Sequence, residues 1–115
     1  MLIRISERSS EPIYLQIAAQ IRRQVADGTL RAGQTLPPIR ELADSLDVNM
    51  HTVRAAFAIL RGEGLVDMRR GRGVTVLHDA AKHATINDLA RALVSEARRV
   101  GMSDTDIQHA VEAQL

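Results

Sequence analysis

Cysteine is absent, and Tyr14 and Phe57 are the only aromatic residues in this 115-residue chain. Without cysteine there are no disulfides, thiolate zinc sites or cysteine nucleophiles, and a reducing, cytoplasmic compartment is expected. With so few aromatics the core must be aliphatic and alanine-rich, which suits packed helices. No apolar run approaches the ~18 residues of a membrane span, so no membrane partner is expected. The opening MLIRISERSS has no apolar signal core, and nothing there directs the chain outward. No internal repeat or low-complexity tract interrupts it.

Excess charge of one sign is also missing overall, since the formal net charge is +1. It is unevenly spread. Residues 1–78 carry 11 arginines against 8 acids, and residues 79–115 carry 4 Lys+Arg against 6 acids. The stretch 49–73 alone has 5 arginines against 2 acids. That is a local basic patch on an otherwise balanced protein. Charge alone fits arginine scattered over the surface for solubility.

The pattern of apolar positions predicts the elements. Leu2–Ile5 is read as a short strand or arm. Ser9, Ser10 and Pro12 open a first helix over about 12–27, with Ile13, Ile17, Ile21 and Val25 at helical spacing. Gly33 and Pro37-Pro38 mark a loop. Ile39, Leu42, Ala43 and Leu46 form the stripe of a second helix, and Asp47-Val48 makes a turn. Asn49 is a good N-cap for a third helix, whose Val53, Ala56, Phe57 and Leu60 point inward. Leu65–Met68 and Val74–Leu77 read as strands, joined by Arg69-Arg70-Gly71-Arg72-Gly73 in a glycine turn. His78–Ala84 reads as a linker. Thr85 then caps a fourth helix with Ile86, Leu89, Ala90, Leu93, Val94, Ala97 and Val100 as its apolar positions. Ser103 caps a fifth helix lined by Ile107, Ala110, Val111 and Leu115.

The expected fold is mainly α with a small β-hairpin wing: a winged helix-turn-helix over 1–78, then a two-helix region over 79–115. A recognition helix must be pinned on one face and carry polar groups on the other into the ~12 Å major groove. The third helix meets both needs. Its presented end is Asn49, Met50, His51 and Thr52, followed by Arg54. Arg54 can pair bidentately with guanine or grip phosphate. Arg40, on the second helix, can reach phosphate or a base at the groove edge. Arg69, Arg70 and Arg72 on a glycine turn suit the narrow minor groove. Taken singly, Arg40 pairs as readily with Glu41 or Asp44, Arg54 with a neighbouring acid, and Asn49 need only cap. The ordered set of helix, turn, helix and basic hairpin favours DNA.

Residues 12–76 resemble the winged helix-turn-helix of GntR-family transcriptional regulators. The resemblance rests on the PIY-QIA opening, the G-L-x-x-G-x-x-LP loop, REL at Arg40–Leu42, TVR at Thr52–Arg54, EGLV at Glu63–Val66 and RGRG at Arg70–Gly73. It implies operator contacts from Arg40, Asn49, Met50, His51, Thr52, Arg54, Arg70 and Gly71. Three positions depart from the family pattern. Pro38 and Ile39 replace a serine and an acid before REL, Asp47 replaces the turn glycine, and Asn49-Met50 replaces Ser-Arg. Met50 is left either to a thymine methyl or to the core. The short tail resembles the YtrA-like subfamily, whose two C-terminal helices dimerise; transport genes and autoregulation are implied with it.

The residues point the same way, because the fourth helix is apolar over a wider arc than a short tail can bury. Ile86, Leu89, Ala90, Leu93, Val94, Ala97, Ile107 and Val111 are the candidate dimerisation residues; the competing reading folds this helix back on the first. A homodimeric repressor on a near-palindromic operator is the expected function. A non-specific architectural DNA binder and a winged-helix protein-interaction module are the alternatives. No metal or cofactor is expected: His78 and His83 make only a loose ligand pattern, and no nucleophile motif or GxxxxGK[ST] phosphate loop occurs, so the chain is not read as an enzyme. Two short helices can hardly enclose a pocket of several hundred Å3, and the small-molecule effector is unknown.

Overall fold

The computed structural model describes residues 1–69 and 73–115, the side chain of Arg69 excepted. Its elements are α1 (Ile13–Ala26), β1 (Thr35–Leu36), α2 (Ile39–Leu46), α3 (Met50–Gly62), β2 (Val66–Arg69), β3 (Gly73–Val76), α4 (Ala80–Arg99) and α5 (Asp104–Glu112). They divide into two compact units, Met1–Thr85 and Ile86–Leu115, with the division falling inside α4.

The first unit is built on α3, against which α1, α2 and β2 pack. Ile17 and Ile21 of α1 and Val53, Ala56, Phe57 and Leu60 of α3 are wholly buried. Each large apolar side chain removed from water in this way contributes roughly 1.5–3 kcal/mol. The sheet is antiparallel in the order β1-β3-β2, with Leu36 and Met68 both opposite Val74. Val74 and Val76 face the core and Thr75 is half-buried, the period of two expected of a strand with one solvated face. The two-residue β1 had no counterpart among the expected strands. Its buried Leu36 is the only core anchor of that short pairing.

Three helices end in the same hydrogen-bonded motif, in which one residue takes a left-handed conformation. After α3 it is Gly64, with Leu65 N donating to Leu60 O at 3.0 Å; after α4 it is Gly101, with Met102 N donating to Ala97 O at 2.9 Å. After α2 it is Asp47 (φ 55°, ψ 48°), with Val48 N donating to Ala43 O at 3.0 Å. The aspartate therefore keeps the turn that a glycine would make, at some conformational cost.

The N-terminal arm is held by a ladder of glutamines. Gln24 donates to Leu2 O at 2.7 Å, and Gln20 both accepts from Arg4 N and donates to Arg4 O. Gln16 does the same with Ser6, at 2.9 and 3.0 Å, and also donates to Glu11 O at 2.8 Å. The spacing explains the match: four helical residues rise ~6 Å, and two extended residues span ~6.6 Å. Ile3 and Ile5, between the rungs, turn toward the core. The arm is thus extended, and it pairs with side chains rather than with a strand.

Arg22 lies on the buried face of α1, 1% exposed, and forms a two-point ion pair with Glu63, the C-cap of α3, at 2.6 and 2.7 Å. The pair ties the two principal helices of the unit together.

One expectation about the first unit is corrected. His78–Ala84 is not a linker: α4 begins at Ala80, and Ala80 and Ala84 are buried in the core. Their spacing of four puts both methyls on one helical face, and burial of that face continues the helix through the polar residues between them. Thr85 is accordingly not a cap; its hydroxyl donates to Ala81 O at 3.0 Å inside the helix.

In the second unit, Ser103 and Asp106 form a reciprocal capping box at the start of α5. Arg98 pairs with Asp104 at 2.9 Å, and Arg99 pairs with Glu96. Ala97 and Ile107 are its buried apolar residues.

Candidate nucleic-acid interface

The third helix has the two faces that groove entry demands. Its inner face is fully buried, and His51, Arg54, Ala58 and Arg61 are exposed. Their spacings of three, four and three align them in one stripe along the helix. Ala58 keeps the middle of the stripe low, so the helix can approach another surface closely. Ala58 and Arg61 were missed in the sequence reading, although the same spacing that located the core face would have found them.

Arg40 is exposed in the first turn of α2. Among the described residues no ion pair engages Arg40, Arg54 or Arg61, so the acids nearby do not neutralise this face. Asn49 caps α3 as anticipated: its side-chain oxygen accepts from His51 N at 2.7 Å. That bond uses one lone pair of the oxygen and leaves the side-chain NH2. Met50 is half-buried and packs on the core. Thr52 is also half-buried. Of the presented end, Asn49, His51 and Arg54 are therefore the exposed residues. At the wing, Arg70, Gly71, Arg72 and the side chain of Arg69 lie outside the described residues. The base of the hairpin is set by Arg69 opposite Gly73.

The candidate dimerisation residues fall into two groups. Ile86, Leu89 and Leu93 are 64%, 62% and 42% exposed, and Ala90 and Val111 are exposed as well. Val94 is half-buried, while Ala97 and Ile107 are covered within the unit itself. Val100, with the spacing of the first group, is also exposed. Among the described residues no group of His, Cys, Asp or Glu could hold a metal ion. His83 instead lies against Gly64, where an added Cβ would sit 3.5 Å from its ring. No described helix is long and apolar enough to cross a membrane.

Residues 13–76 match the family described as bacterial regulatory proteins, gntR family. The chain belongs to the GntR family. Its members are transcriptional regulators, not enzymes, and the five helices with a small three-stranded sheet are those of the family's winged-helix structures. The chain is 34% identical over 107 residues to the transcriptional repressor YtrA of Bacillus subtilis, covering 88% of this chain and 82% of YtrA. It is 38% identical over 78 residues to the B. subtilis regulator YdeF, but spans only 17% of that longer protein. Among solved structures, YtrA from Sulfolobus acidocaldarius superposes with a TM-score of 0.64 at 39% identity, covering 82% of this chain and 99% of that one. The DNA-binding domain of AraR in complex with operator ORX1 superposes with a TM-score of 0.58 at 26% identity, covering 66% and 95%.

Within this GntR-family frame the three departures acquire physical content. Pro38 sits at the N-cap of α2, whose start no side chain caps. Asp47 keeps the left-handed turn and adds a carboxylate there. Met50, where the family pattern has an arginine, packs inward.

Proposed function

We propose that the protein is a homodimeric repressor that occupies a near-palindromic operator in the cytoplasm and blocks transcription of an operon. The observation that carries this is the unneutralised stripe of His51, Arg54, Ala58 and Arg61 on a helix whose opposite face is wholly buried. Arg40 adds a second cation from the neighbouring helix. Asn49 positions the stripe by capping, and its free NH2 with the Thr52 hydroxyl supplies short donors. The wing residues Arg69, Arg70, Gly71 and Arg72 are assigned to the minor groove. Support for DNA as partner comes from the AraR domain solved on its operator, and support for repression from the YtrA repressor.

The division of labour is DNA contact by residues 1–78 and pairing of two copies by 79–115. Support for pairing is the exposed row Ile86, Leu89, Ala90, Leu93 and Val100, which a second copy would cover. Two copies would then present two recognition helices roughly 34 Å apart, one per half-site.

Binding to a candidate inverted repeat and to random duplex, measured across a salt series, tests this. The regulator should prefer the repeat by ~10³ or more at physiological salt. Binding both equally would make it an architectural DNA protein, and binding neither would make it a protein-interaction module.

A further inference from the structure

A groove of about 360 Å3 runs beside the helix-turn-helix, open to solvent on one side. Its apolar lining comes from three places: Ile3 and Ile5 of the arm, Ile13 in the first turn of α1, and Leu46 and Val48 around the α2–α3 turn. Apart from buried Ile3 these side chains are half-buried, each packed on the core without being closed over. The volume falls in the range of small-molecule sites, roughly 300–1,000 Å3.

The polar lining has one sign. Glu7 and Asp47 contribute carboxylates and Ser45 a hydroxyl, and no lysine, arginine or histidine lines the groove. Among the described residues no ion pair engages Glu7 or Asp47. Asp47 is also the only positive-φ residue other than glycine among those described. At that position its side chain places a carboxylate on the groove, which a glycine would not.

We infer that this groove binds a small organic cation with an apolar body, its cationic group between Glu7 and Asp47 and its body against Ile5, Ile13, Leu46 and Val48. Charge complementarity selects the class. An anion would meet two carboxylates without a counter-charge, and a neutral apolar molecule would leave both unused. A ligand there touches the arm, α1 and the turn before the recognition helix at once. The inference does not depend on the DNA reading.

The test is an amide NMR titration of the full chain with 2-phenylethylammonium, neutral 2-phenylethanol and anionic phenylacetate. The ammonium should shift the amides of Ile3–Glu7, Ile13 and Ser45–Val48 saturably. It should bind about fivefold more tightly than the alcohol, the scale expected of two solvent-exposed charge pairs. Phenylacetate should bind most weakly. Asp47→Asn combined with Glu7→Gln should erase the preference for the ammonium and leave alcohol binding unchanged; asparagine tolerates the left-handed turn, so the fold is kept. Absence of saturable shifts at those amides, equal affinity for the three probes, or a preference that survives the double substitution would overturn the inference.

Discussion

Met1–Thr85 and Ile86–Leu115 use the same aliphatic alphabet to opposite ends. In the first unit Ile17, Ile21, Phe57, Leu60 and Leu65 have no exposed surface, and even an arginine, Arg22, is drawn inside with its own counter-ion. In the second, Ala97 and Ile107 are buried and Ile86, Leu89, Leu93, Val100 and Val111 remain in water. In the first core α1, α2 and β2 all pack on α3, whereas the second unit consists of the larger part of α4 with α5. The comparison teaches that an apolar stripe records a need for burial and does not say which chain satisfies it.

The ion pairs offer the largest contrast. Glu63→Ala takes the two-point ion pair from the buried Arg22, and should cost about 3 kcal/mol in a denaturant melt. Arg99→Ala removes a fully exposed pair and should leave the same melt unchanged. Equal effects would erase the distinction between a closed and an open unit.

Next comes the open face itself. Leu89→Glu with Leu93→Glu should convert a species of twice 12.6 kDa into one of 12.6 kDa in sedimentation at micromolar protein, with the helical content of the first unit retained. A wild-type chain that already sediments as a monomer would refute the pairing outright.

Smaller effects separate the roles of the stripe on α3. Arg54→Ala should lose ~1–3 kcal/mol of operator affinity at one base position if it reads an edge. Arg61→Ala, about two turns further along, should weaken all sequences alike and lower the salt slope by about one. Swapped outcomes would place the base-reading end at the wrong end of the helix.

The smallest change is at the arm. Gln20→Ala removes both hydrogen bonds to Arg4 and should cost about 1 kcal/mol, since part of that rung is solvated. Hydrogen exchange at the Arg4 amide should quicken, while that of Ile107 in the second unit should not.

What the sequence made legible were features local to a turn or a helical face. Asn49 and Ser103 were recognised as caps because capping acts over two or three residues. The core face of α3 was recognised because its period is regular. What escaped detection depended on distant partners. Arg22 has the spacing of a core residue, but nothing near it in the chain shows the counter-ion that lets it be buried, which is Glu63, 41 residues later. Gln16, Gln20 and Gln24 recur every four residues, but nothing local shows that an extended segment lies along them. The early start of α4 was hidden because Ala80 and Ala84 carry so little hydrophobic signal individually. In the candidate site, the exposure of Arg40 and Arg54 was legible from the order of elements, while the inward packing of Met50 needed the core around it.

The central claim is that two copies read one operator with paired recognition helices. It is tested most directly by measuring stoichiometry and affinity on an inverted-repeat duplex, and on the same duplex with ~5 base pairs, half a helical turn, inserted between half-sites. The account predicts two chains per duplex and loss of tight binding on insertion. One chain per duplex, or an affinity indifferent to the insertion, would contradict it.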